Sequence, residues 1–206
     1  MGTVAAAVSA VAAIFAIYVS YKSAFESQLS SRQADAVVKF IADANDARNQ
    51  SRSLQEQIAS AQTQPAERSN LRNVAADKEL DIKNTTTAFS LVFPLEEFDP
   101  LSFNLADLFI TNEEFVDSLN DDPTNPHLRL GESAETAAVY SRRYNKIALC
   151  VPRQLSILIE CARERLRAGH PLTQSDAHDC AKSMYSKNAD SSRASDVEEC
   201  YSRQKR

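Results

Sequence analysis

The residues with the most obvious chemical potential are cysteines and histidines in the last third of the chain. The four cysteines are Cys150, Cys161, Cys180 and Cys200. Thiolate and imidazole groups bind zinc, and His170 and His178 lie between the second and third of these cysteines. No Cys-x-x-Cys pair occurs, however, and residues two apart on a helix, such as His178 and Cys180, point in different directions. The sequence therefore predicts no metal site and no cofactor.

The oxidation state of these cysteines depends on the compartment. In a reducing cytoplasm they would be small buried hydrophobic residues with free thiols. In an oxidising compartment, four cysteines would form two disulfides, with three possible pairings. We expect reduced thiols, because the flanking charges described below favour a cytoplasmic body.

The common catalytic signatures are missing from the sequence. There is no Gly-x-Ser-x-Gly, no glycine-rich phosphate loop and no His-Glu-x-x-His, and the whole chain contains three glycines. His127 lies in a proline-rich loop, and Glu96 and Glu97 are adjacent carboxylates, which seldom converge on one substrate. The sequence therefore predicts no catalytic residue and a protein that is not an enzyme.

The net charge of −5 conceals an uneven distribution. Residues 1–93 contain nine basic and nine acidic residues. Residues 94–135 contain one basic and eleven acidic residues, and residues 136–206 contain thirteen basic and eight acidic residues. The acidic and basic parts are expected to face each other in the fold or to form solvated surfaces. No nucleic-acid-binding motif accompanies the basic part, so we expect no nucleic-acid partner.

The amino-terminal helix, which would position everything that follows, is predicted to cross a membrane. Residues 4–21 contain no charged side chain and extend about 27 Å as a helix, against a hydrocarbon thickness of about 30 Å. Tyr18, Tyr21 and Lys22 close this run and are typical interface anchors. Seven side chains favour insertion by roughly 2–4 kcal/mol in total; they are Val4, Val8, Val11, Ile14, Phe15, Ile17 and Val19.

Two alternatives to an uncleaved span remain open. A cleaved signal peptide fits less well, because no basic residue precedes the apolar run and no small-x-small site follows it. A soluble core helix fits less well, because the run is apolar on all faces. Basic residues follow the run rather than precede it, which favours a cytoplasmic body, with a periplasmic or extracellular body as the alternative.

Helical spacing continues after the span. Apolar and small residues recur at alternating steps of three and four from position 37 to position 61. The main residues of this row are Val37, Phe40, Ala44, Leu54 and Ile58. Such a row is the seam of a coiled coil or of a helix packed on its own domain. Gln33 and Ser30 interrupt it toward the span. We therefore predict a long stalk helix, either in a homo-oligomer or folded back on its own domain.

The rest of the chain is predicted to be mainly helical. Pro65 ends the stalk helix, and the segment from Asn84 is either extended or helical. Residues 93–119 combine aromatic and acidic side chains, as expected of core helices or of a partner-docking surface. A loop follows at residues 120–131, and the last seventy residues are expected to form four helices, with Pro152 in the first turn of the second.

Together these features predict a mainly all-α chain. The predicted parts are a transmembrane anchor (residues 1–24), a stalk helix or coiled coil (25–64) and a helical domain (65–206) with a proline-rich loop near 120–131. The expected function is that of a single-pass membrane-anchored interaction protein, a scaffold, sensor or regulatory subunit, whose partners are the lipid bilayer, an unidentified protein and other copies of itself. The alternative is a secreted or periplasmic disulfide-bonded helical domain that acts as a binding module or inhibitor.

Overall fold

The computed structural model describes residues 2–60, 65–120 and 130–189, without the side chains of residues 2–15, 17, 65, 66, 97, 99, 120, 130–134, 136 and 185–189. The α-helices in these residues are α1 (Gly2–Ser60), α2 (Pro65–Ser90), α3 (Asp99–Asn120), α4 (Leu130–Arg167) and α5 (Gln174–Ala189). A short 3₁₀ helix, Leu95–Phe98, precedes α3, and the described residues contain no strand. The prediction of a mainly all-α chain is confirmed for the residues that the structure describes.

The predicted span and the predicted stalk are parts of one uninterrupted helix, α1. Among the side chains that the structure describes, no helix is both long and apolar enough to cross a bilayer. Of the seven predicted span residues only Val19 belongs to that described set. The side chains outside it are Val4, Val8, Val11, Ile14, Phe15 and Ile17.

α1 and α2 form an antiparallel hairpin. Phe40, 20 residues before the end of α1, stacks on Phe89 at the end of α2, with ring centroids 4.3 Å apart. Phe93, just after α2, stacks in turn on Phe89 at 4.7 Å. The turn after α2 therefore lies at the end of the bundle nearest Phe40, which we call the lower end.

α3 and α4 complete an up-and-down four-helix bundle. Arg72 near the start of α2 pairs with Asp117 near the end of α3 at 2.6 Å, so these two helices are antiparallel. Asn104 in turn donates a hydrogen bond to Gln154 of α4 at 3.0 Å. α3 contacts α1, α2 and α4, which is the arrangement expected for helices joined in sequence and packed around one core.

α1 contributes the described part of its predicted seam to this core. The predicted oligomer residues are all buried against other helices of the same chain: Val37, Phe40, Ala44, Leu54 and Ile58. The alternative in which this helix folds back on its own domain therefore describes the structure. Ser30 and Gln33, which the sequence pattern suggested would break the row, are buried as well and extend it by about two turns.

The acidic and aromatic segment is also part of the core. Ten of its apolar side chains are buried: Phe93, Leu95, Phe98, Leu101, Leu105, Leu108, Phe109, Phe115, Val116 and Leu119. Phe103 is the exception and is exposed. Most of these side chains are therefore not available as a partner-docking surface, because they fill the space between α1, α2 and α4.

The structure decides one open alternative and overturns one prediction. The segment from Asn84, for which extended and helical conformations were both open, is helical, since α2 continues to Ser90. The prediction that Pro152 lies in the first turn of a helix is wrong, because Pro152 lies inside α4. The apolar rows before and after Pro152 are in phase, since Tyr144, Val151 and Leu158 are buried on one side, while the proline ring lies on the exposed side. Core packing on both sides thus offsets the one backbone hydrogen bond that proline removes.

Candidate functional site

The first described part of α1 extends beyond the bundle and carries exposed aromatic side chains. Tyr18, Tyr21 and Phe25 are 61%, 71% and 55% exposed, and the first buried residue among the described side chains of α1 is Ser30. Lys22 lies within this group and is 3.9 Å from Glu26, one turn further on. The predicted anchors Tyr18, Tyr21 and Lys22 therefore lie with Phe25 on one side of a helix that no other described part of the chain covers. We call residues 18–25 the collar.

Gln33 ties α1 to the lower end of the bundle. Its side-chain nitrogen donates to the carbonyl oxygens of Val92 and Leu172, both at 3.1 Å, and its side-chain oxygen accepts from the Leu172 backbone N–H at 2.7 Å. Val92 belongs to the turn after α2, and Leu172 to the turn between α4 and α5. One amide thus satisfies backbone groups of two turns that would otherwise be unpaired in a buried place.

The turn between α4 and α5 is closed by several local interactions. α4 ends at Arg167, and Gly169 follows with a φ of 74°, the left-handed conformation that glycine adopts without strain. Thr173 caps α5: its hydroxyl accepts from the Asp176 backbone N–H at 3.2 Å, and the Asp176 carboxylate accepts from the Thr173 N–H at 3.3 Å. The Thr173 bonds, together with the ion pair from Arg165, lower the pKa of Asp176.

A disulfide fixes α5 to α4. Cys161 and Cys180 are bonded, with their Cα atoms 5.8 Å apart. Cys150 is disulfide-bonded too, and Cys200, the remaining cysteine of the sequence, lies outside the described residues. The expectation of reduced thiols is therefore wrong for Cys150, Cys161 and Cys180. The sequence had left the pairing open, and only the packing of α5 beside α4 selects it.

The disulfide also changes the interpretation of the nearby histidines. A cleft of about 550 Å³ lies beside it and is lined by His170, Arg165 and Asp179, among others. Because Cys161 and Cys180 are bonded to each other, neither sulfur is a thiolate that could hold zinc. Within the described part of the chain, no three potential ligands are grouped for a metal ion.

A second set of polar side chains is buried between α1, α3 and α4. The Ser51 hydroxyl donates to the Leu108 carbonyl at 3.1 Å, and the Asn112 amide donates to the Ser51 carbonyl and hydroxyl at 3.0 and 3.1 Å. The Tyr144 hydroxyl is buried beside Ser51 without a hydrogen bond of good geometry, and this burial raises the pKa of Tyr144. The hydrogen bonds between Ser51 of α1 and α3 fix the relative heights of these two helices, because a shift of one turn would leave each group unpaired.

Of the isolated polar residues that could act in catalysis, His127, Glu96 and Glu97, only Glu96 has a described side chain. His127 lies outside the described residues, and the Glu97 side chain is not described. Glu96 is exposed and accepts a hydrogen bond from Gln174 at 3.2 Å. Arg143 of α4 pairs with Glu114 of α3.

One polar contact that the sequence could not reveal is a carboxyl pair between α2 and α3. Burial and the neighbouring Glu79 raise the pKa of Glu113. Glu79 also forms an ion pair with Lys83 one turn away. Each of these residues looks like an ordinary surface charge in the sequence, and only the docking of α2 on α3 brings the two carboxyl groups together.

Comparison with known proteins gives no relative: no protein-family model, no curated protein and no solved structure matches this chain.

Proposed function

We propose that this chain is a single-pass membrane-anchored helical interaction protein without catalytic chemistry. The collar is the observation that carries this proposal. Tyr18, Tyr21 and Phe25 are large, exposed and close to Lys22, and they follow an uncharged run of residues in the same helix. Aromatic rings beside a lysine are the side chains that the boundary between lipid and water accommodates best.

We infer that the body lies on the oxidising side of the membrane. The flanking basic residues favoured the cytoplasm, but a disulfide between Cys161 and Cys180 is typical of periplasmic and extracellular domains. Gln33 supports a direct connection between anchor and body, because it hydrogen-bonds two turns at the lower end of the bundle. A partner bound by the body would in this way be held at a fixed height above one membrane surface.

Insertion can be tested with two charged substitutions in the predicted span. Val11→Arg and Ile14→Arg together cost about 5–7 kcal/mol at the centre of a membrane helix, more than the roughly 2–4 kcal/mol by which the apolar side chains favour insertion. We expect the full-length protein to remain in alkali-washed membranes and the double variant to be released. Leu80→Arg, on the exposed side of α2, is the matched control and should stay in the pellet. An unprocessed wild-type chain in the soluble fraction would refute the anchor.

The second candidate is a secreted or periplasmic disulfide-bonded binding or inhibitor domain, and the disulfide is what favours it. It predicts a mature chain that begins near the end of the apolar run, whereas an anchored protein keeps its amino terminus. The intact mass of the purified protein distinguishes the two. Labelling of intact cells with a thiol reagent, before and after reduction, reports the compartment independently, because disulfide-bonded cysteines react only after reduction.

A further inference from the structure

An uncharged face runs along the outside of α1 and α4. On α1 the row of side chains beside α4 contains Ala34, Val38, Ile41 and Asn45, and Val38 is 69% exposed. On α4 the outward row contains Asn145, Leu149, Pro152, Ser156 and Ile159, with Leu149 at 61% and Ile159 at 36% exposure. In a chain of which 25% is charged, two adjacent rows without a charge form a distinct surface. We call it the α1/α4 face.

The heights of the two rows can be read from contacts made through α3. Asn112 of α3 donates a hydrogen bond to Ser51 of α1, and Glu114, two residues further along α3, pairs with Arg143 of α4. Ser51 and Tyr144 therefore lie at about the same height, and the contact of Gln33 with Leu172 shows that α4 descends as α1 rises. At the helical rise, Val38 lies about 20 Å below Ser51 and Ile159 about 22 Å below Tyr144. By the same count Leu149 lies level with Asn45. Of the exposed apolar side chains, Val38 and Ile159 therefore lie at matching heights.

From this match we propose that the α1/α4 face binds a second copy of the chain, in an inference that rests on the proposed membrane anchor. Two chains anchored in one membrane point the same way, so a two-fold axis between them must run along α1 and preserve heights. Each α1 then faces the partner's α4. Val38 of one chain meets Ile159 of the other at the same level, and the small side chain of Ala34 leaves room beside it.

The charges at the lower edge of the face favour the same pairing. Asp35 and Arg163 are exposed and lie within about one helical turn of the same height by the count used above. Neither has an ion-pair partner among the described residues. A two-fold axis along α1 brings Asp35 of each chain toward Arg163 of the other, so the contact occurs twice. Like charges would face each other if α1 packed on α1 instead.

The size of the face indicates why the anchor matters. A surface about 21 Å long and two helices, or roughly 20 Å, wide covers roughly 420 Å² per chain, whereas a stable interface in solution covers about 800 Å² per partner. The pair would therefore be weak in dilute solution and populated when both chains are confined to one membrane, where the effective concentration is high.

Cross-linking in membranes tests this inference. Two differently tagged full-length copies are co-expressed, one with Val38→Cys and one with Ile159→Cys, and oxidised before solubilisation. We expect a cross-linked heterodimer. Leu80→Cys combined with Ile159→Cys is the matched control, since Leu80 is 59% exposed on α2, and should give at least tenfold less product. No product at 38/159, or as much product in the control, would overturn the proposal.

A charge exchange tests the orientation. Asp35→Arg or Arg163→Asp alone should reduce the 38/159 cross-link several-fold, and the two together should restore it. Failure of restoration would overturn the parallel two-fold pairing. Sedimentation of the same membranes after an alkaline wash tests the anchor separately. A cross-linked dimer in the supernatant would support this interface and refute the anchor. Protein that sediments with the membranes but is not cross-linked would support the anchor and refute the interface.

Discussion

Removing the disulfide between Cys161 and Cys180 should open α5 while leaving the four-helix bundle closed. The bond joins residues separated by 19 positions, and a loop of this length restricts the unfolded segment by about 3 kcal/mol in the chain-entropy model. α5 has little else to hold it. Of its own described side chains only Ala177 and Ala181 are buried, together with Leu172 just before the helix. A buried methyl group contributes about 0.8 kcal/mol, which is small against an ordering cost of about 1–2 kcal/mol per residue.

The assay is hydrogen exchange of backbone amides, read by mass spectrometry, on the full-length protein with Cys161→Ala and Cys180→Ala. Because every 1.4 kcal/mol is a factor of ten in an equilibrium constant, a loss of about 3 kcal/mol should raise the opening constant of α5 roughly a hundredfold. Amides in α1, α2 and α3 should exchange as in the wild type. Ser183→Ala, at an exposed position of α5, is the control and should change nothing.

Two results would refute this reasoning. Protection of α5 within threefold of the wild type would mean that its packing, and not the disulfide, holds it in place. An equal loss of protection in all helices would mean that α5 belongs to the same cooperative unit as the bundle.

Three further predictions concern the polar contacts inside the molecule. Gln33→Leu leaves buried backbone groups of Val92 and Leu172 unpaired, at about 1–3 kcal/mol for each, so its urea midpoint should fall clearly below that of the exposed control Gln28→Leu; equal midpoints would contradict the role of this amide. Tyr144→Phe removes a buried hydroxyl that has no hydrogen bond and should change the unfolding free energy by less than about 1 kcal/mol in either direction; a loss above 2 kcal/mol would show that the hydroxyl is bonded. Because the pKa of Glu113 is raised in the folded protein, the ionised Glu113 carboxylate lowers the free energy of unfolding at pH values above that pKa. This loss of stability disappears as the pH falls through the folded pKa. Glu113→Gln should therefore be more stable than the wild type at neutral pH, with the difference shrinking toward acid pH in urea titrations, and a difference that grows there would contradict this sign.

The helical architecture was predictable because it depends on local spacing. The row from Val37 to Ile58 has helical period, and three glycines in 206 residues leave few tight turns for a sheet. The same local reasoning failed at Pro152. A proline disfavours the middle of a helix by about 3 kcal/mol, but the two apolar rows that it separates are in phase, and their burial against α1 and α3 is not a property of either segment alone.

Polar residues in an apolar row show the same limit. Ser30 and Gln33 were read as the end of the seam, because a polar side chain usually marks a solvated position. In the structure Gln33 is buried, and its partners are backbone groups 59 and 139 residues away in the sequence. No spacing rule in one sequence can indicate a hydrogen bond to a distant carbonyl group, since any residue type carries that carbonyl.

What the sequence determined by itself is the helical class of the fold, the composition of its apolar rows and the uncharged run with aromatic residues at its end. These follow from side-chain chemistry and from a backbone period that holds whatever the helix packs against. Only the tertiary structure decided that the seam of α1 faces its own chain, that Cys161 pairs with Cys180, and that Glu113 meets Glu79. Each of these depends on which helices become neighbours and at what height, and that choice is made by the burial of the whole core at once.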